Sequence, residues 1–256
     1  MTALEIEIVP CLSDNYAYVL HDAADGFCAV VDPSEAAPIL EVLRARGWKL
    51  THVLNTHHHF DHTGGNLALK EEFGAKIVGP GKDRERIPGI DVGVDGDTSF
   101  ALGKHSIRIL EIPAHTRAHI AFVFESDRSV FTGDTLFAMG CGRLFEGTPE
   151  MMWSSLSTLM TLPDDTRVYC GHEYTLSNGR FALTLEPGNE DLQRRVVEVE
   201  RMRAAGSPTV PSTIGLERKT NPFLRPQSRE IRQTLGMENA GDVEVFAAMR
   251  ARKDKF

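Results

Sequence analysis

A dense group of metal-binding side chains lies in the short segment Thr56–His62, whose sequence is Thr-His-His-His-Phe-Asp-His. Its candidate ligands are His57, His59, Asp61 and His62. Imidazole and carboxylate ligands without thiolates are typical of catalytic zinc, iron or manganese sites and disfavour a closed structural zinc site. Because the segment follows the apolar pair Val53-Leu54, we predict a tight loop at the end of a buried strand, where these side chains can converge. A solvated histidine run is disfavoured, since the run is internal and includes an aspartate.

The elements that position this loop are predicted from short apolar runs separated by turn signals. Leu4–Val9, Tyr16–His21 and Phe27–Val31 predict three strands that open the chain in antiparallel order. Helical spacing of Ile39, Leu40 and Leu43, closed by Gly47, predicts a helix, and a second helix follows Gly64-Gly65.

A second β-rich block carries apolar runs that end at further potential ligands. The runs are Ser106–Ile112, Ile120–Phe124, Val130-Phe131 and Val168–Cys170, with a helix after Thr148-Pro149 between the last two. Two β-rich halves with outer helices predict a sandwich covered by helices on both outsides.

Beyond Tyr174 the pattern becomes helical. Leu192, Val196 and Val199 form one apolar stripe, and Val243, Phe246 and Met249 form another on a final helix rich in Arg and Lys. The Pro-rich segment Ser207–Pro226 between them is predicted to be a loop.

Composition excludes several classes of protein. The chain has 256 residues, 41% of them hydrophobic and 25% charged, which is ordinary for a globular protein. A formal charge of −8 argues against broad contact with nucleic acid or an anionic membrane. The acidic N-terminus lacks signal-peptide features and no apolar run approaches the roughly 18 residues of a membrane span, so we expect a cytoplasmic protein. The four dispersed cysteines are expected to be reduced and structural, including Cys141.

The motif T-H-x-H-x-D-H, followed here by Thr63-Gly64-Gly65, resembles the signature of the metallo-β-lactamase superfamily. The resemblance implies an α/β fold, the αββα sandwich, and adds His115, Asp134 and His172 as ligands. One metal ion would be bound by His57, His59 and His115, the other by Asp61, His62 and His172, with Asp134 bridging both. Two divalent ions are therefore expected, zinc by default, with iron or manganese as alternatives, and Asp61 and Asp134 as catalytic carboxylates.

Four further segments resemble the glyoxalase II, or hydroxyacylglutathione hydrolase, family. They are Ser13–Tyr16, Gly133–Arg143, Gly171–Thr175 and Asn221–Arg225. The resemblance implies hydrolysis of S-D-lactoylglutathione to D-lactate and glutathione by a hydroxide shared between the metals. It also implies a catalytic domain at residues 1–173 and a helical substrate-binding domain at 174–256. Glutathione carboxylates need local cations in an acidic protein, so Arg143, Arg225 and Arg229 are predicted to bind the substrate. Tyr174 is predicted to bind it by a hydrogen bond to the peptide backbone. We expect a monomer.

Some features depart from the family or leave other functions open. Relatives commonly have tyrosine at the position of Phe145 and a lysine shortly after that of Arg225, which places glutathione affinity in question. The alternatives are a glutathione persulfide dioxygenase with a single iron and a metal-binding protein without turnover. Among the other histidines, His119 is a candidate to support a ligand. Surface or structural roles are expected for His21, His52, His58 and His105.

Overall fold

Residues up to Glu111 together with the segment Ala118–Gly133 form one structural unit, unit 1. Ile112–Arg117 and Asp134–Phe256 form a second, unit 2. The computed structural model describes residues 4–96 and 98–256. The domain boundary after residue 173 stays a prediction.

Unit 1 contains ten strands and three α-helices within its described residues. The strands are β1 Glu5–Cys11, β2 Asn15–Asp22, β3 Phe27–Val31, β4 His52–Leu54, β5 Lys76–Pro80, β6 Val92–Val94, β7 Phe100–Leu102, β8 His105–Glu111, β9 Ile120–Phe124 and β10 Ser129–Gly133. The helices are α1 Ala36–Arg46, α2 Phe60–Thr63 and α3 Asn66–Phe73, with 3₁₀ helices at Gly81–Arg86 and Glu125–Asp127. The three predicted opening strands and the predicted helix before Gly47 are confirmed.

Strands β1 to β6 form one sheet in chain order. The first three strands are antiparallel, as predicted, and β3 to β6 are parallel. Parallel strands need crossovers, and α1 and α3 supply them, so their apolar faces cover the sheet. Ile39 of α1 and Leu69 of α3 pack against Val30 and Val53 of the sheet in one buried cluster.

Strands β7 to β10 form an antiparallel meander that packs face to face on this sheet. The ring of Tyr18 on β2 lies 5.5 Å from that of Phe131 on β10. At another point Phe27 on β3 lies 5.4 Å from His105 on β8. Strands buried on both faces explain why β3 and β9 read as unbroken apolar runs instead of alternating ones.

Unit 2 is mostly helical. Its helices are α4 Pro149–Leu159, α5 Thr175–Leu183, α6 Glu190–Ala204, α7 Ile214–Thr220, α8 Arg229–Leu235 and α9 Asp242–Lys253, with a 3₁₀ helix at Pro222–Leu224. Its short strands are β11 Leu136–Phe137, β12 Gly140–Cys141, β13 Arg167–Cys170 and β14 Ser212–Thr213. Strand β11 pairs with β12 as a small hairpin, and β13 pairs with β14.

The predicted helical stripes of unit 2 are largely confirmed. Thr148 caps α4 by accepting a hydrogen bond from the Met151 backbone N–H, and Leu192, Val196 and Val199 of α6 are buried. The prediction of a continuous loop over Ser207–Pro226 was wrong, because α7 and a 3₁₀ helix lie within it. The Thr213 side chain caps α7, so one polar residue at the right position starts a helix among the prolines.

Within residues 4–96 and 98–256, no helix combines the length and the apolar character needed to traverse a bilayer.

Candidate metal centre

The predicted ligands of the segment Thr56–His62, the histidine loop, converge in unit 1. The loop begins directly after β4 and runs into α2, a single helical turn. The ring of His57 lies 4.7 Å from that of His59 and 4.2 Å from that of His62. The carboxylate of Asp61 lies 3.7 Å from His62 Nε2. Four side chains of one short loop therefore face a common point.

Asp32, at the end of β3, holds the histidine loop from behind. Its Oδ1 accepts a hydrogen bond from the Thr56 backbone N–H at 2.8 Å. Its Oδ2 accepts from the Thr56 hydroxyl at 2.6 Å and lies 3.0 Å from His62 Nδ1. Asp32, His57 and His62 are buried, and their side-chain N and O atoms lie within 4.8 Å of one another, so Asp32 stands directly behind two predicted ligands.

These contacts determine which nitrogen of each ring is available to a metal ion. Because the carboxylate of Asp32 can only accept, Nδ1 of His62 carries the proton and Nε2 keeps its lone pair. The Thr56 hydroxyl donates its single hydrogen to Asp32, so at 3.0 Å it accepts from His57 Nδ1, and His57 Nε2 also keeps its lone pair. Metal-binding histidines are commonly oriented in this way, so these residues of unit 1 fit a divalent cation.

Two other residues of unit 1 support the same ligands. Asn15, at the start of β2, donates from its amide nitrogen to Asp61 O at 3.0 Å and to Asp61 Oδ2 at 3.1 Å. The ring of His119 stacks on that of His57, with centroids 4.6 Å apart. Gly133 permits this packing, because a Cβ there would lie 2.3 Å from Thr56 Oγ1 and 2.8 Å from His119 Cε1. His119 therefore contacts a predicted ligand and supports it from one side.

Unit 2 brings the other three predicted ligands together. Asp134 Oδ2 lies 3.4 Å from His115 Nε2 and 3.3 Å from His172 Nε2, and all three residues are buried. The carboxylate thus stands between two imidazole rings that come from different segments of the chain.

The orientation of His115 is also determined by its surroundings. Its Nδ1 donates to the backbone carbonyl of Arg143 at 3.0 Å, so Nε2 keeps the lone pair and faces Asp134. Gly142 is required beside it, since a Cβ there would lie 1.9 Å from the carbonyl oxygen of Asp134. The three residues of unit 2 therefore also fit a divalent cation.

Aromatic rings cover the two histidines of unit 2. Phe145 lies 5.1 Å from His115 and is 61% exposed. Tyr174 stacks in parallel on His172 at 4.7 Å and is 38% exposed, with Phe137 at its edge. Exposed rings beside candidate ligands form a surface on which a small organic molecule can rest.

Arg143, Arg250 and Lys253 form a group of cations in unit 2. Burial, together with the charges of Arg250 and Arg143, lowers the pKa of Lys253 to about 8. The guanidinium of Arg250 donates to the carbonyl of Cys141 at 2.7 Å and so secures the segment that leads to Arg143. The arrangement suits an anionic group, whose charge would offset the mutual repulsion of these cations.

The predicted substrate-binding residues Arg225 and Arg229 have different surroundings. Two nitrogens of Arg225 donate to the two carboxylate oxygens of Glu186, each at 2.9 Å, and a third donates to Arg218 O. Glu186 is buried, so this bidentate pair ties α8 and its preceding loop to the loop after α5. Arg229 is exposed at the first position of α8. Substrate binding by both residues stays a prediction.

The segment Asn221–Arg225, singled out by sequence, supports the β11–β12 hairpin. Asn221 donates to the carbonyls of Phe137 and Gly140 at 3.2 and 2.9 Å. The buried carboxylate of Glu217 accepts from the Met139 backbone N–H at 2.7 Å. Burial raises the pKa of Glu217 although its hydrogen-bond donors oppose this.

Sequence reasoning missed Asp32, Asn15 and Lys253 as residues of the site. Asp32 follows a strand that pairs with β4, so its place beside the histidine loop depends on a strand pairing that no local sequence signal shows. Lys253 lies four residues after buried Met249 on α9, so it falls near the apolar face instead of the solvent face. The thiol of Cys141 is buried, and burial raises its pKa to about 11, which agrees with the structural role expected for it.

Comparisons with known proteins identify similar families and structures. Residues 12–172 match the metallo-beta-lactamase superfamily, and residues 173–256 match the family described as hydroxyacylglutathione hydrolase C-terminus. The chain is 56% identical over 253 residues to hydroxyacylglutathione hydrolase of Methylococcus capsulatus, covering 99% of both chains. It is 50% identical over 256 residues to hydroxyacylglutathione hydrolase of Rhizobium meliloti, covering all of both.

Solved structures show the same fold. The BLEG-1 B3 metallo-beta-lactamase is 22% identical with a TM-score of 0.67, over 86% of this chain and all of the other. ETHE1 from Myxococcus xanthus is 25% identical with a TM-score of 0.65, over 98% of each chain. The fold is the metallo-β-lactamase fold followed by a helical C-terminal region, as predicted.

Proposed function

Because this chain belongs to the hydroxyacylglutathione hydrolase family of the metallo-β-lactamase superfamily, we propose that it hydrolyses S-D-lactoylglutathione to D-lactate and glutathione. The observation that carries the proposal is the sequence similarity to hydroxyacylglutathione hydrolases along the whole chain, which reaches 56% identity over 253 residues in one case. Family membership by itself leaves the substrate open in a superfamily with many reactions, so the residues must account for the chemistry.

We propose a centre for two divalent cations with the ligands that the family resemblance implies. His57, His59 and His115 would hold one ion, Asp61, His62 and His172 the other, and Asp134 both. The proposal is supported by the lone pairs that Asp32, Thr56 and the Arg143 carbonyl leave on three of these rings. It is also supported by the position of the Asp134 carboxylate between His115 and His172.

When bound, such a pair of cations supplies a nucleophilic water at neutral pH and polarises a carbonyl group. We propose zinc, because imidazole and carboxylate ligands suit it, with iron or manganese as alternatives that the same donors accept. The leaving group is a thiolate, and a free thiol has a pKa of about 8.5, so a strong general acid is dispensable. The ligand set and a binding surface for glutathione therefore suffice for the reaction.

Glutathione would bind on the exposed surface of unit 2. The cations of Arg143 and Lys253 match its carboxylates, and the ring of Tyr174 offers both a face and a hydroxyl to its peptide groups. Phe145 can pack against the substrate but cannot donate a hydrogen bond, the loss of which costs about 0.5 to 1.5 kcal/mol. Arg225 and Arg229 remain candidates for a second carboxylate.

The reaction is tested by following thioester absorbance with S-D-lactoylglutathione in the parent protein, with and without a chelator. Asp134→Asn is expected to lose most activity and part of the bound metal, while Asp164→Asn, at an exposed aspartate, keeps both. Metal binding without turnover would contradict the proposed function. So would oxygen uptake with glutathione persulfide in the absence of thioester cleavage.

The glutathione surface is tested with Lys253→Met and its control Lys255→Met, an exposed lysine two residues away. A charge-assisted hydrogen bond contributes about 1.5 to 3 kcal/mol, so KM of the first variant is expected to rise at least about tenfold with little change in kcat. Equal KM values for the two variants would remove Lys253 from the binding surface.

A further inference from the structure

His58 is the one histidine of the histidine loop that is not among the predicted ligands, and both of its ring nitrogens have partners. Its Nδ1 lies 3.1 Å from Asp83 Oδ2, and its Nε2 lies 3.1 Å from Nη1 of Arg86. Both partners belong to the 3₁₀ helix Gly81–Arg86, which precedes β6. The His58 side chain is 15% exposed and that of Asp83 is 5% exposed.

The chemistry of the partners allows one orientation of the ring. A guanidinium can only donate, so His58 Nε2 accepts from Arg86, and a carboxylate can only accept, so His58 Nδ1 donates to Asp83. The opposite tautomer would place two donors against each other at Arg86 and two acceptors against each other at Asp83. Arg86 in turn donates from Nε to Asp83 Oδ1 at 3.0 Å and from Nη2 at 2.5 Å. The three side chains therefore form a closed and directional set.

The contacts of the His58 side chain also restrict the backbone of the two predicted ligands beside it. His58 is flanked in the chain by His57 and His59, so fixing its side chain fixes the backbone that carries both. Its ring is turned 83° from that of His57 and 67° from that of His59, which directs it toward the 3₁₀ helix and leaves its neighbours to the metal.

The same segment also secures the other end of the loop. Asn55 donates to the backbone carbonyl of His62 at 3.0 Å, and Asn66 donates to Asn55 Oδ1 at 2.8 Å. Asn66 also donates to the carbonyl of Pro88, just beyond the 3₁₀ helix, at 3.2 Å. Residues 81–88 thus contact the histidine loop directly at His58 and are linked to its last part through Asn66 and Asn55.

We propose that Asp83 and Arg86 are positioning residues of the metal centre, which act through His58 to hold His57 and His59 in a geometry ready for the cation. The inference rests on the proposed function, because it requires that the histidine loop binds metal. Preorganised ligands bind a metal more tightly because less conformational freedom is lost on binding, and changing residues behind the ligands typically weakens metal affinity about 10- to 100-fold.

The test compares Arg86→Met with Arg84→Met, a matched change in the same 3₁₀ helix at an arginine that donates to backbone carbonyls instead of to Asp83. Zinc affinity is measured by competition with a chromophoric chelator, and thermal unfolding is recorded with and without zinc. Arg86→Met is expected to bind at least one zinc ion about tenfold more weakly and to gain less thermal stability from zinc, whereas Arg84→Met matches the parent.

A second pair, His58→Leu and His52→Leu, repeats the comparison at two half-buried histidines if Arg86→Met fails to fold. If Arg86→Met and His58→Leu bind zinc as tightly as the parent does, the inference is overturned and the proposed function stays intact. A parent that binds no divalent metal would overturn both.

Discussion

The ion pair between Arg225 and Glu186 offers a direct measurement of how a predicted substrate-binding residue contributes to stability. Arg225→Met removes both 2.9 Å hydrogen bonds while keeping much of the side-chain volume. Removing one partner of a buried ion pair costs about 3 to 5 kcal/mol, because the other charge stays buried. The lower end applies, since Arg225 is 27% exposed and Ser228 and Asn189 still donate to Glu186.

A loss of about 3 kcal/mol should lower the urea midpoint by roughly 1 M for a slope of about 3 kcal/mol per M. Urea unfolding of the metal-loaded protein measures this shift of the midpoint. The control is Arg229→Met, which replaces an exposed arginine on α8 and should change the free energy of unfolding by less than about 0.5 kcal/mol. KM measured on the same samples separates substrate binding from stability. A midpoint for Arg225→Met within experimental error of the parent would refute the reasoning from the buried carboxylate.

The pH dependence of this loss has a defined sign. Burial raises the pKa of Glu186, but the hydrogen bonds from Arg225, Ser228 and Asn189 outweigh it, so the folded pKa is lowered. The stabilisation is therefore present above the unfolded value of about 4.3 and is lost as pH falls through the folded value. The difference between parent and Arg225→Met should shrink in acid, and a difference that grows below pH about 4 would contradict this assignment.

Three other measurements test separate parts of the structure. His105→Gln should lose stability mainly at low pH. Burial lowers the pKa of His105, but its hydrogen bonds to Asp22 and Asp127 more than offset this and raise it, so the stabilisation is full below pH about 6.5 and is lost as pH rises. Urea unfolding from pH 5 to 9 measures the effect, and a loss of stability that grows toward high pH would contradict it. Asp32→Ala should weaken zinc binding about 10- to 100-fold in a chelator competition, because it releases Thr56 and His62, and unchanged affinity would remove Asp32 from the site. All four cysteines are buried, and burial raises the pKa of Cys141 to about 11. A thiol reagent at neutral pH should therefore label the protein only after denaturation, and rapid labelling of the native protein would contradict this burial.

Local sequence pattern was sufficient to predict the candidate ligands of the histidine loop, whose side chains the structure brings close together. Four candidate ligands within six residues, placed after an apolar run, can be recognised from sequence because residues close in the chain cannot be far apart in space. The strands, the helix before Gly47 and the capped helix after Thr148 were predicted for a similar reason, since periodicity and capping are properties of short segments. The prediction failed at Ser207–Pro226, where proline content hid the short helix α7.

The surroundings of those ligands depended on the tertiary structure. Nothing local distinguishes Asp32 from other residues that end a strand, and its contact with His62 spans 30 positions of the chain. Arg225 was predicted to bind substrate from its charge and its place in a segment that resembles the family, yet its partner Glu186 lies 39 residues earlier in a different loop.

Sequence alone therefore determined which side chains can bind metal and which segments form strands and helices, because both follow from residue type and short-range spacing. Only the folded chain decided which nitrogen of each histidine keeps its lone pair and which arginine neutralises a buried carboxylate. Those properties depend on hydrogen-bond partners brought together by packing between distant elements, and a donor or acceptor has no assigned partner until that packing exists.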